Sequence, residues 1–303
     1  MSHARLALGT AQLGLDYGVA NPDGRPSADE VDRILRTALD LGLEYIDTAS
    51  AYGDAEVAVG RFLRTAGSRR HVRIGTKTPR FAAGLSAADL VRDLAQSVDR
   101  SRTRLGRDTL DDLLIHAADN LREYGQTLVD FLVEHQQAGR VRRIGISIYD
   151  AADARLAIAC PSLGATQFPF SVLHRELAEH GLVDDLRRAG HETFARSALQ
   201  QGLLTLEPAQ GERAVPGSGV WLARFREVCS QQGVEPLTAA LAYAASWSRA
   251  DFVVVGVESA EQLRRLSGAL SCHLPAGFAD RIATRIAGVP PAVRDPRLWA
   301  GRA

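Results

Sequence analysis

The feature that most constrains this chain is an alternation, repeated eight times, of a short apolar run with strand character and a segment whose apolar residues recur at helical spacing. The runs lie at 5–10, 41–46, 72–77, 110–115, 141–148, 165–170, 192–195 and 251–256. Between them, Val31, Ile34, Leu35, Ala38 and Leu39 follow the three-and-four spacing of one helix face, as do Leu90, Leu94 and Val98. Ser27-Ala28-Asp29-Glu30 has the form of a capping box ahead of the first of these helices. Further helices are predicted at 55–63, 128–137, 151–159, 177–188, 220–231 and 237–246. A chain of 303 residues is long enough for about two domains. No linker, low-complexity stretch or internal repeat divides it, however, and eight β/α units predict a closed parallel (β/α)8 TIM barrel of the α/β class, a single domain over 1–303.

A barrel of this kind gathers its chemistry at the carboxyl ends of the strands. Three runs end on reactive groups: Tyr45-Ile46 on Asp47, Gly75-Thr76 on Lys77, and Leu114-Ile115 on His116. Tyr52 follows Asp47 in a loop of small residues, so four polar groups are expected on one rim. Lys77 is the single lysine among 36 basic residues. A coding bias toward arginine explains the rarity of lysine but not its place at a strand end. An ammonium is a compact charge that can lose its proton, which a guanidinium does not do.

The bulk composition narrows the partner. Net charge is zero, so there is no field to hold nucleic-acid phosphates or an anionic membrane, and a small-molecule substrate is expected. Cys160, Cys229 and Cys272 stand far apart with no CxxC pair, which predicts inert thiols in a reduced compartment and no zinc site. No apolar run reaches the ~18 residues of a membrane span, and Met1 to Arg5 leads straight into a strand rather than a signal peptide, so a cytoplasmic protein is expected.

Taken in order, Asp47-Thr48-Ala49 with Tyr52-Gly53, Thr76-Lys77-Thr78, Leu113 to His116, Ile144-Gly145-Ile146-Ser147, Gln167-Phe168-Pro169-Phe170, Gly202-Leu203-Leu204, Val255-Gly256-Val257 and Glu261-Gln262-Leu263 resemble the aldo-keto reductase superfamily over almost the whole chain. The resemblance implies a barrel that binds a nicotinamide cofactor, NADP(H) more than NAD(H), without a Rossmann domain. In keeping with that, Gly217-Ser218-Gly219 is followed by Leu222 where a dinucleotide fingerprint needs its third glycine. By resemblance Tyr52, Asp47, Lys77 and His116 match the family's catalytic tetrad, for reduction of an aldehyde or ketone or the reverse. A phenol near its usual pKa of ~10 is a weak acid at neutrality. Lys77 is expected to lower that value for Tyr52, Asp47 to fix Lys77, and His116 to orient the carbonyl.

The implied cofactor set is Ser147, Gln167, Arg196, Ser197, Leu199, Gly202, Gly256, Glu258, Gln262 and Arg265. Arg196 replaces a tyrosine that would stack on the nicotinamide. Glu258 falls where a basic residue often holds the 2′-phosphate, with Arg264 or Arg265 as compensation. Tyr17, Phe81 and Trp221 are the substrate-pocket candidates, with Phe170, Trp299, Arg80 and His174 behind them, and any of these can serve in packing. The tail ending at Trp299 is expected to fold back on the barrel. Two other readings stay open: a Schiff-base aldolase or isomerase using Lys77, and a catalytically silent cofactor-binding sensor.

Overall fold

The computed structural model describes residues 4–65 and 72–299; Met1 to His3, part of the expected lead into the first strand, lie outside them. The strands are β1 (Arg5–Gly9), β2 (Tyr45–Asp47), β3 (Arg73–Lys77), β4 (Leu110–Ile115), β5 (Val141–Ser147), β6 (Ala165–Pro169), β7 (Glu192–Arg196) and β8 (Phe252–Gly256). They close in sequence order into an eight-stranded barrel. Every pair is parallel, and β1 pairs with β8 to complete the ring.

Strand side chains alternate between two faces, and this parity separates two cores. Leu8, Ile46, Ile74, Leu113, Ile144, Ile146, Phe168, Val253 and Val255 face outward into the main cluster under the helices. Ala7, Tyr45, Ala165, Phe194, Phe252 and Val254 form a second cluster inside the barrel. There Tyr45 lies 4.6 Å from the Phe194 ring and 5.6 Å from that of Phe252. Tyr45 fits only because Gly75 faces it: a Cβ on Gly75 would lie 1.9 Å from the Tyr45 hydroxyl.

The same parity stacks the interior in layers. Arg73, Gly75 and Lys77 of β3 point inward at rising height, as do Glu192, Phe194 and Arg196 of β7. At the amino-terminal end Arg73 and Arg143 both bond Glu192 and Asp112, sealing the barrel with a half-buried ionic network. At the carboxyl end the inward residues are Asp47, Lys77, Ser147, Gln167 and Arg196.

The helices follow the expected spacing, with boundaries moved by local chemistry. The first long helix spans Ala28–Asp40, and Ser27 caps it by accepting from the Glu30 N–H. The box is only half made, because the Glu30 carboxylate accepts instead from the Ala260 N–H at 2.8 Å, tying this helix to Ala260–Leu270. The expected helix at 128–137 begins earlier, at Ala118, and breaks at Gly125, whose φ of 46° and ψ of −122° are non-helical. The expected helix at 177–188 is two, Glu176–Glu179 and Leu182–Arg188, divided at left-handed Gly181. The helices Pro208–Ala214, Ala260–Leu270 and Phe278–Arg285 add to those predicted. Among the described residues no helix is long and apolar enough to cross a membrane.

Candidate active site

Asp47 and Lys77 end neighbouring strands, and the alternation of strand side chains turns both inward. Lys77 Nζ donates to Asp47 Oδ1 at 2.7 Å, to the Thr48 carbonyl at 2.9 Å and to the Tyr52 hydroxyl at 3.5 Å. Its three ammonium protons are thus matched to three acceptors, with the side chain only 1% exposed. Gln167 reaches across from β6 and donates to the same Asp47 Oδ1 at 2.8 Å. Tyr52 is carried on the short loop after β2 and packs edge-on to His116, with ring centroids 6.0 Å apart. The backbone N–H of His116 donates to Thr78 Oγ1 at 3.3 Å, fixing the end of β4 against that of β3. All four residues expected on the rim are therefore brought together.

Around them lies a ring of aromatic and basic groups. Arg196 sits over the Tyr149 ring at 4.2 Å and donates to the Ile148 carbonyl and to Ser197 Oγ. Arg297 lies over the same ring at 3.6 Å. That contact comes from the tail, and Trp299 beyond it is buried, so the segment up to Trp299 folds back on the barrel as expected. Tyr17 is half-buried, and its electrostatic neighbours are Tyr52, Arg196 and Tyr149, which place it at this mouth. Tyr149 was not foreseen. Its only sequence signal is that it follows a strand end by two residues.

The other aromatic candidates have these surroundings. Trp221 lies on the helix Gly219–Gln231 with Arg224 over its ring, and Phe170 is buried in the core against Tyr243. Phe81 is held through its backbone, with its N–H and carbonyl both bonded to the buried Asn120 side chain.

The residues at the ends of β5 and β6 suit a nicotinamide carboxamide. Ser147 and Gln167 stand opposite each other in register, both buried, and supply a hydroxyl and an amide, each able to donate and accept. After β7 the backbone turns through left-handed Ser197, Gln200, Gln201 and Gly202, an unusual run for residues with side chains. Leu199 is half-buried within that turn, and Gly202 packs on Ala20, where a Cβ would approach to 2.6 Å. After β8, Gly256 packs on Gln12, where a Cβ would meet the side-chain oxygen at 2.0 Å. Glu258 faces the Gln12 amide at 3.5 Å, and the Gln262 side chain accepts from the Glu258 N–H. Arg265 pairs with Glu235, and Arg264 donates to Thr37.

The model described as the aldo/keto reductase family matches residues 5–286. The chain belongs to the aldo/keto reductase family. Its relatives include the aldo-keto reductase str7 of Strobilurus tenacellus, 28% identical over 88% of this chain and 83% of that one. The L-glyceraldehyde 3-phosphate reductase of Escherichia coli K12 is also 28% identical, over 85% of this chain and 84% of its own. Aldo-keto reductase AKR11C1 from Bacillus halodurans, in its holo form, shares the fold with a TM-score of 0.73 at 23% identity, covering 98% of this chain and 95% of that one. Members of the family are oxidoreductases acting on small carbonyl compounds, and this one is read as such.

The electrostatics of this aldo/keto reductase correct one expectation. Desolvation pushes the Tyr52 phenol well above its ordinary value, and the Asp47 carboxylate adds to the rise; Arg196 and Arg80 pull the other way. The lowering expected from Lys77, 3.5 Å from the phenol, does not prevail over that desolvation. Desolvation also lowers the Lys77 ammonium, against the raising effect of Asp47. His116 is pushed down to about 3, first by desolvation and then by Lys77, Arg80 and Arg196. Its Nδ1 is buried without a hydrogen-bond partner among the described residues. At neutral pH His116 is an uncharged imidazole with no surplus proton. Away from the site, burial pushes the Cys229 thiol up to about 12, which keeps it unreactive.

Proposed function

We propose that this chain interconverts an aldehyde or ketone and its alcohol, with Tyr52 as the acid that protonates the carbonyl oxygen and as the base in the reverse direction. A nicotinamide, when bound, would supply or accept the hydride. Tyr52 holds its proton at neutrality, so it can give one as the oxygen becomes an alkoxide. Lys77, fixed by Asp47, then faces the phenolate that Tyr52 leaves behind. His116 donates a hydrogen bond to the substrate oxygen as a neutral group and orients it. The observation that carries this reading is the contact of Lys77 Nζ with the Tyr52 hydroxyl at 3.5 Å, beside a histidine that burial holds in its neutral form.

Ser147 and Gln167 would hold the nicotinamide end, with Arg196, Ser197, Leu199 and Gly202 beside it and Gly256, Glu258, Gln262 and Arg265 toward the adenosine. The family resemblance favours NADP(H), whereas the Glu258 carboxylate would repel a 2′-phosphate. Titrating the purified protein with NADPH and with NADH weighs one against the other. Binding of either supports the oxidoreductase. Binding of neither, with borohydride trapping a carbonyl compound on Lys77, would make the Schiff-base reading the better one. The threefold engagement of Lys77 Nζ weighs against that outcome. Tyr52→Phe should lose ~10²–10⁴-fold in turnover, the usual worth of a general acid, while its cofactor affinity stays within a few-fold. Full activity in this variant would refute the assignment, and an unchanged role in the cell would favour the silent sensor.

A further inference from the structure

The two ends of the barrel treat their arginines differently. At the amino-terminal end Arg5, Arg73 and Arg143 all meet carboxylates. At the mouth, Arg196 and Arg80 meet none among the described residues. The acidic groups there are engaged: Asp47 with Lys77, Asp295 with Arg297, and Glu258 toward Gln12.

Arg196 is half-buried, which costs free energy for a charge with no counter-ion. Its position over Tyr149 recovers part of that cost. Its bonds to Ile148 and Ser197 use two of the five guanidinium N–H groups. As the last inward residue of β7, above Phe194, it projects into the mouth. Arg80 lies three residues beyond Lys77, exposed, in the loop that Asn120 clamps at Phe81 with bonds of 3.1 and 2.8 Å. Arg196 ends β7 and Arg80 follows the end of β3 by three residues, so both stand on the carboxyl-end rim that carries Asp47, Lys77 and His116.

We propose that the substrate carries an anionic group, a carboxylate or a phosphate ester, near its carbonyl, and that Arg196 and Arg80 receive it. This rests on the reductase reading of the same site. A planar guanidinium offers two parallel donors to either anion, and hydrogen bonds to charged groups are the strong ones.

The test compares kcat/KM within pairs that differ only in charge. Suitable pairs are glyoxylate, succinic semialdehyde and 4-carboxybenzaldehyde, each against its methyl ester, and glycolaldehyde phosphate against glycolaldehyde. The expected result is a preference of tenfold or more for the anion in at least one pair. The carboxylate and phosphate arms tell the two anions apart. The preference should shrink in 0.5 M salt and fall at least fivefold in Arg196→Gln and in Arg80→Gln. Equal or better use of the neutral member in every pair by the unaltered protein overturns the proposal and leaves the reductase standing. Weakened NADPH binding in the two variants, with the substrate ratio unmoved, assigns the arginines to the cofactor and also overturns it. No turnover of any member, with no nicotinamide binding, overturns the reductase and this proposal together.

Discussion

The Asp47 and Lys77 pair offers the sharpest stability test, because the two side chains are 6% and 1% exposed. Removing one partner of a buried ion pair costs ~3–5 kcal/mol, since the other charge stays behind unpaired. Unfolding entropy of ~2.1 cal/mol/K per residue gives ~0.6 kcal/mol/K for a chain of this length, so the loss corresponds to a fall in Tm of ~5–8 °C. Asp47→Asn should show it, because an amide still accepts from Gln167 but does not neutralise the ammonium. Lys77→Met should show it as well, leaving Asp47 with Gln167 as its donor. The double variant buries no charge and should cost less than either single change, a coupling of ~3 kcal/mol or more in the double-mutant cycle. The pH dependence has a definite sign. In Asp47→Asn the folded pKa of Lys77 lies below its unfolded value of ~10.4, so the unfolded chain binds more protons between the two. Stability then rises with pH across that window, and the deficit of the variant should narrow as pH climbs toward ~10. Calorimetry at several pH values measures all of this. Additive single losses, or losses below ~1 kcal/mol, would refute the reasoning.

Three further outcomes follow. Because Tyr52 keeps its proton to high pH, carbonyl reduction should stay level through neutrality while alcohol oxidation climbs with pH; a kcat/KM profile breaking near the ordinary histidine value of ~6.5 would contradict a neutral His116. With a folded pKa of about 3 against ~6.5 unfolded, His116 makes stability fall as pH drops between those values, joined by His174 at about 4. His116→Gln should flatten that fall by up to ~1.4 kcal/mol per pH unit in acid-denaturation curves. Gly75→Ala should cost ~3 kcal/mol, the upper end for overpacking, and Tyr45→Phe should recover part of it by removing the nearest contact at 1.9 Å; a thermal melt showing no loss for Gly75→Ala would exclude the predicted clash.

The barrel was legible in the sequence because strand and helix periods differ. Runs ending in Asp47, Lys77 and His116 announced a rim without any knowledge of contacts. Helix breaks were less legible: Gly125 and Gly181 sit inside otherwise periodic segments, where one glycine is compatible with continuation or with a break. The capping box at Ser27 read correctly on one side only, since Glu30 found a partner 230 residues away in Ala260. Aromatic candidates divided for the same reason. Tyr17 reached the mouth, whereas Phe170 went to the core, because spacing alone does not say which face of a loop a side chain takes.

By itself, then, the sequence determined the class of fold, the order of its eight units and the residues able to do chemistry at strand ends, since all three depend on local periodicity and residue type. Tertiary structure decided how the charges are spent. Asp47 ends the strand beside that of Lys77 and lies 2.7 Å from its ammonium, while burial outweighs the lowering expected for Tyr52. Closure of the ring also leaves Arg196 over Tyr149 with no carboxylate among the described residues, and brings the tail's Arg297 to the same ring. Coulomb and desolvation energies depend on distance through space and on access to water, and neither is written in the spacing of residues along the chain.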